Sequence, residues 1–313
     1  MNSEADVSGA PLIAVATCTF RRPEGLRRLY EGLAAMDLPS DVSLALITID
    51  NAGDVELPNF EGDWPSVIEV EHERGIPFAR NRAVSVAARL GADALVFFDD
   101  DEVPRPDCLV RLVETWRTTG ASVVQGSSVP RFDVAPPAWV EAGAFFERNL
   151  PTDGQPIQAF HARTSNVLID MNVFSVADPP FDTRLRLTGG SDSYLFRVAA
   201  EAGCRFVAAG SALVDETVPA SRVSARWLVK RHYRVGWGRS YYLRSRSRDP
   251  LKFMKRLAAG LLGVAVAPKR AWQSRQDPRL AAVQAARQAA YSVGLIVGML
   301  GRKPAEYKDL HGA

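Results

Sequence analysis

Apolar positions along this chain gather into short runs, each cut off by polar or turn-forming residues. Residues 12–18 read as a buried strand that breaks at Thr19-Phe20-Arg21-Arg22-Pro23. A helical spacing follows over 24–36 and ends at Pro39-Ser40. Residues 44–49 form a second apolar strand, stopped by the turn residues Asp50-Asn51-Ala52-Gly53, and 67–70 a weaker third. Residues 76–90 have helix periodicity, with Gly91 placed as a C-terminal cap. Residues 94–98 are a fourth strand, followed by a helix over 107–119 and a strand over 121–129. Strands alternating with helices imply crossover units and a mainly parallel sheet, with ligands at the carboxyl ends of the strands.

The second half is less regular. Residues 130–156 carry Pro136, Pro137, Pro151 and Pro156 among Trp139, Phe145 and Phe146, a loop-rich segment suited to facing substrate or to ordinary packing. A strand is expected over 165–169, and a turn at Thr188-Gly189-Gly190-Ser191-Asp192 leads into an amphipathic helix over 193–202. A late strand is expected over 205–209. Beyond 221 the pattern changes. Residues 227–242 are basic and aromatic, 257–267 are apolar between basic pairs, and 280–300 are apolar but interrupted by Gln284, Arg287 and Gln288. The first apolar run is too short to span a bilayer, and the inner charge of the second argues against a simple span. Both fit helices lying in a membrane interface, or a helical subdomain, or a dimer contact.

Composition sharpens this division. The chain has 313 residues, 47% of them hydrophobic, and a formal charge of +2. Between Arg222 and Arg270 there are 14 basic residues and one acid, Asp249, so the remainder carries a net charge of −11. An acidic body is followed by a basic region able to meet anionic headgroups. Cys18, Cys108 and Cys204 are scattered singly, without metal-ligand or disulfide spacing, which favours a reducing compartment. The polar N-terminus, with Glu4 and Asp6, is not expected to be a signal peptide.

The chemistry concentrates where the fourth strand ends in Asp99-Asp100-Asp101-Glu102. A buried strand cannot hold four adjacent acids, so the strand must stop and present them at an open edge. If the chain stays extended there, Asp99 and Asp101 share one side and Asp100 takes the other. Paired hard oxygen ligands suit Mg²⁺ or Mn²⁺ when substrate phosphates complete the shell, although a solvated acidic turn is an equally simple reading. No GxGxxG follows the first strand, which disfavours dinucleotide binding. The Gly-rich, Lys-bearing loop of nucleotidyltransferases is missing as well.

Five landmarks occur in order: Cys18-Thr19-Phe20-Arg21-Arg22-Pro23; Asp50-Asn51; Gly75 with Ala79-Arg80-Asn81; Asp99-Asp100-Asp101-Glu102; and Gly189-Gly190-Ser191-Asp192. Together they make the chain resemble the family 2 inverting glycosyltransferases of GT-A fold, in particular bacterial exopolysaccharide glucosyltransferases of the succinoglycan type. The resemblance runs from about residue 12 to about residue 242. It implies an α/β GT-A domain over 12–220, after a disordered segment 1–11, and a helical, basic and apolar, membrane-associated region over 221–313. It implies a UDP-sugar donor, glucose favoured, a lipid-linked oligosaccharide acceptor, a Mn²⁺ or Mg²⁺ cofactor and a place at the cytoplasmic face of the bacterial inner membrane. No nucleic-acid partner is expected.

Roles follow from the same resemblance. Cys18 and Thr19 line the nucleotide pocket, Asp50 accepts from uracil, Arg80 contacts the nucleotide and Asp100 faces the ribose. Asp99 and Asp101 form the DxD element, Asp101 touching the metal directly, with Asp215 as a further ligand. Asp192 is the general base. Two departures stand out: Ser191 replaces an acid common in relatives, and Asp215-Glu216 stands where many have a histidine. Read without the resemblance, Asp192 is a helix N-cap, Asp50 is turn chemistry, Arg80 is a surface residue and Thr19 is a strand-end hydroxyl. Asn166 is then a buried asparagine tied to backbone, as readily as part of an acceptor segment. The other function class left open is a non-enzymatic membrane- or nucleic-acid-binding scaffold using the basic aromatic stretch 226–248.

Overall fold

A computed structural model describes residues 9–147, 151–273 and 275–302 of the chain. Most of the expected N-terminal segment 1–11, namely 1–8, lies outside the described residues, as does 303–313 at the other end. The chain divides into two compact units. The first comprises Met1–Arg131, Glu147–Arg186 and Ser191–Thr217, and the second Phe132–Phe146, Leu187–Gly190 and Val218–Ala313, each in its described parts.

The first unit is built on β1 (Leu12–Thr19), α1 (Pro23–Ala34), β2 (Ser43–Asp50), β3 (Ser66–Val70), α2 (Ile76–Leu90) and β4 (Ala94–Phe97). β5 (Glu102–Pro104), α3 (Cys108–Thr119) and β6 (Val123–Phe132) follow. With β7 (Val167–Asp170) and β8 (Phe206–Val218) the sheet order is β3-β2-β1-β4-β7-β6-β8-β5, and the first four strands run parallel, as the alternation of strands and helices predicts. Beyond β4 the sheet is mixed. β7 is antiparallel to β4 and β6, and β5 is antiparallel to β8. The parallel pattern therefore covers only the N-terminal strands.

Alternation along β1 explains the two cores. Ile13 and Val15 face α1 and α3 through Leu26, Leu29, Leu33, Leu109 and Leu112. Ala14 and Ala16 face α2 and α5 (Ser191–Glu201) through Ala79, Ala83, Leu195 and Phe196. Strands buried on both faces are continuous apolar runs, which is why they were legible. Gly91 closes α2 at φ 74°, the left-handed cap expected of it. β8 is the largest departure, extending to Val218 where a strand over 205–209 is expected. Gly210-Ser211 reads as a break, but Asp153 accepts from the Ser211 N–H at 2.9 Å, and β5 pairs with the strand beyond it.

The second unit contains α4 (Ala138–Ala142), α6 (Ala225–Arg246), α7 (Pro250–Gln273) and α8 (Pro278–Met299). α8 packs on both α6 and α7. Its backbone nearly touches that of α6: a Cβ on Gly294 would lie 2.1 Å from the carbonyl oxygen of Tyr233. Leu280, Val283, Leu295 and Met299 are buried, and Ser240 donates to the Leu295 carbonyl at 2.7 Å. The apolar run 280–300 thus serves helix packing.

Candidate functional site

Three parallel strands deliver their carboxyl ends to one edge, and the site is assembled there. β1 ends at Thr19 and β2 at Asp50, which are register partners, and the Asn51 N–H bonds the Thr19 carbonyl at 2.9 Å. β4 lies on the other side of β1 and hands over to Asp99-Asp100-Asp101. The chain does not stay extended at these acids. It turns between β4 and β5, with the Glu102 N–H bonding the Asp99 carbonyl at 3.0 Å. The simple division into two sides is therefore replaced by individual partners.

Asp100 is buried and doubly held. Thr19 Oγ1 donates to Oδ2 at 2.9 Å, and Arg22 Nη1 donates to Oδ1 at 2.8 Å. Arg22 also lies 3.7 Å from Asp101, so one guanidinium bridges two of the acids. Arg80, on α2, lies 3.7 Å from Asp99 and over the Phe181 ring at 5.8 Å, which makes it a wall of the site rather than a surface residue. α1 approaches the turn so closely that a Cβ on Gly25 would meet the Asp100 carbonyl oxygen at 2.5 Å. Arg22 and Gly25 were missed as site residues. The signal was present in Arg22-Pro23, a basic residue at the entry of a helix that starts at the strand tip.

Negative charge exceeds positive charge here. Asp99, Asp100, Asp101, Glu102 and Glu216 act on one another, against Arg22 and Arg80. Burial pushes Asp99 upward, opposed by Arg80 and reinforced by Asp101, Asp100 and Glu216. Burial also raises Glu102, with Asp99 and Glu216 adding to it. Glu102 Oε2 accepts from the Asp99 N–H at 3.0 Å, while its buried Oε1 has no hydrogen-bond partner among the described residues. Burial pushes the Cys18 thiol up to about 12, so Cys18 lines the site as a neutral group.

Asp50 is a buried carboxylate whose oxygens accept from the N–H groups of Ala52 and Gly53 at 2.8 and 3.0 Å. This is the turn chemistry, and it leaves carboxylate lone pairs for another donor. Asn51 braces the same edge. Its amide donates to the carbonyls of Glu71 and Glu73 at 2.9 and 2.8 Å and its oxygen accepts from the Gly75 N–H at 2.8 Å.

Asp192 and Asp215 have hydrogen-bond partners of their own. Asp192 falls in the first turn of α5, not before it, and accepts from the Ser193 N–H at 2.7 Å. Asp215 is held by Arg105 at 2.9 Å and Arg131 at 3.3 Å. Strand alternation turns it away from its neighbour Glu216, the residue that acts on Asp99 and Glu102. No three His, Cys, Asp or Glu side chains among the described residues form a metal-holding group. The set Asp99, Asp101 and Asp215 is therefore not assembled, and Glu216 is the acid of this pair nearer the knot. Asn166 is likewise structural, donating to the carbonyls of Ser127 and Ala212, both at 2.8 Å.

Comparison with known proteins places this edge in context. Residues 14–174 match the family model described as glycosyl transferase family 2. The chain is 33% identical over 230 residues to the succinoglycan biosynthesis protein ExoM of Rhizobium meliloti (strain 1021), covering 72% of each. Among solved structures it is similar to residues 1–349 of S. aureus TarS in complex with UDP, with a TM-score of 0.50 and 12% identity, covering 93% of this chain and 92% of that one. It spans 44% of the longer TarS chain.

Proposed function

Because the chain belongs to glycosyl transferase family 2 and is a glycosyltransferase, we propose that it transfers a sugar from a UDP-sugar to a lipid-carried intermediate of a surface polysaccharide. The observation that carries this reading is the knot at the tips of β1, β2 and β4, where acids and arginines meet on the edge at which such sheets bind ligands. The name of the ExoM relative, succinoglycan biosynthesis, supports exopolysaccharide as the product class. The UDP in the TarS complex named above supports the nucleotide. The resemblance leans toward glucose as the sugar and toward the cytoplasmic face of the inner membrane as the place.

In this reading Asp50 accepts from the uracil ring, and Cys18 and Thr19 line the nucleotide pocket. Asp100, fixed by Thr19 and Arg22, faces the ribose. Arg80 meets the nucleotide. Asp99 and Asp101 would hold Mn²⁺ or Mg²⁺. The fit rests on the excess of hard oxygens and on the unpartnered Glu102 Oε1; with fewer than three converging side chains, diphosphate oxygens would complete the shell. When bound, such a cation supplies Lewis-acid neutralisation of the departing diphosphate. Asp192 takes the proton from the acceptor hydroxyl, which attacks C1 as the bond to UDP breaks, inverting the anomeric centre without a covalent enzyme intermediate.

The test is incubation of the full chain with labelled UDP-sugars and lipid-linked saccharides, reading the new linkage by NMR. The reading expects one glycosidic bond of inverted configuration. A product of retained configuration, or hydrolysis of the donor alone, would contradict it.

A further inference from the structure

The helical unit leaves one long face unexplained. α7 packs on α8 through a side that includes Gly260, where a Cβ would lie 2.7 Å from the Ile296 side chain. At about 100° per residue, the positions opposite that contact are Leu251, Met254, Leu261, Leu262, Val266 and Trp272 or their near neighbours. These side chains are open to solvent, with Met254, Leu261, Leu262 and Trp272 each about two-thirds exposed (66%, 65%, 66% and 67%). Lys252, Lys255 and Lys269 are exposed along the same helix, and Arg275 follows it. Scattered exposed leucines need no explanation, but a run of large apolar side chains along one helix face, with Lys255 and Lys269 set among them, does.

We infer that the outer face of α7 lies in the headgroup region of an anionic bilayer, its apolar stripe in the acyl boundary and its lysines on lipid phosphates. Three observations choose this occupant. The stretch from Arg222 to Arg270 has 14 basic residues against one acid, so two copies meeting face to face would repel while anionic lipid attracts. The stripe ends at Trp272, a side chain suited to the membrane–water boundary. Among the described residues no helix is long and apolar enough to cross a membrane, so this face lies along the surface rather than spanning it. The inference concerns the helical unit alone and does not depend on which sugar or nucleotide the enzyme uses.

Vesicle flotation of the full chain tests it, comparing phosphatidylcholine alone with a mixture containing about one-third phosphatidylglycerol. Wild type floats with the anionic vesicles, at least about tenfold less with the neutral ones, and its tryptophan emission shifts to the blue on binding, a shift that Trp272→Phe reduces. The double variant Leu261→Glu/Leu262→Glu loses flotation while keeping its circular dichroism spectrum and donor binding. Lys252→Glu/Lys255→Glu weakens binding to anionic vesicles only. Equal flotation of wild type and the leucine variant would overturn the inference. So would a wild-type dimer that does not float and that the leucine variant dissolves, which would assign the face to a second copy. Because donor binding is read separately, failure here is distinguishable from failure of the transferase reading.

Discussion

At the residue scale, one guanidinium governs the acidic knot. Arg22 joins Asp100 and Asp101, and the Arg22–Asp100 pair is largely removed from water. Removing one partner of such a pair leaves a carboxylate uncompensated. Arg22→Met is therefore expected to lower stability by roughly 3 kcal/mol, read from chemical denaturation, and to weaken UDP binding. Asp192→Asn should leave donor binding intact and cut transfer by about 10²–10⁴-fold, the ordinary worth of a general base; loss of donor binding instead would remove that assignment. In the helical unit, His232 Nδ1 faces the Leu228 carbonyl at 2.9 Å and its Nε2 faces Arg287 at 2.8 Å, which fixes a neutral ring. Burial, with Arg287 adding to it, lowers its pKa from 6.5 to about 4. Between those values the unfolded chain binds a proton that the folded chain refuses, so stability rises with pH across this window and is lost as pH falls through it. The expected slope amounts to about 1–2 kcal/mol after allowance for partial exposure, and His232→Gln should flatten it. Arg22 was legible only as a basic residue at a helix entry and His232 not at all, because their charged partners, Asp100 and Asp101 for the one and Arg287 for the other, lie far along the chain.

At the element scale, the buried strands and their helices were legible because one period dictates each of them. Residues 76–90 were expected as a helix and are one, since apolar spacing, Pro77 and Gly91 all agree. β8 was not, because its continuation past Gly210 depends on β5 and on Asp153, which no local pattern reports. The acidic turn shows the same limit: its acids announced a strand end, but their individual partners come from β1, α1 and α2. α1 adds a steric constraint at this point. Gly25→Ala should push the helix away from the Asp100 carbonyl and reduce donor affinity, with little change in far-ultraviolet circular dichroism. In the helical unit, Gly294→Val would drive a side chain into the α6 backbone and is expected to cost about 1–3 kcal/mol or more, seen as a lower thermal midpoint. The apolar run that becomes α8 looked like a membrane segment because a helix packed on two neighbours and a helix in lipid are both apolar over much of their surface.

At the scale of the whole molecule, the chain separates two chemistries. The acidic strand-tip edge belongs to the first unit, and the basic, apolar face of α7 to the second. The charge asymmetry was visible in the sequence, whereas the choice of α7 over α8 as the exposed helix required packing. Variants should therefore separate the two: Asp101→Asn loses metal-dependent donor binding and keeps vesicle binding, while Leu261→Glu/Leu262→Glu does the reverse. The central claim, a donor site at the tips of β1, β2 and β4, is tested most directly by calorimetric titration of the full chain with UDP, first with Mn²⁺ and then with EDTA. The account predicts binding that requires the cation and disappears in Asp101→Asn without loss of fold. Binding that ignores both the cation and that substitution, or no binding of UDP under either condition, would contradict it.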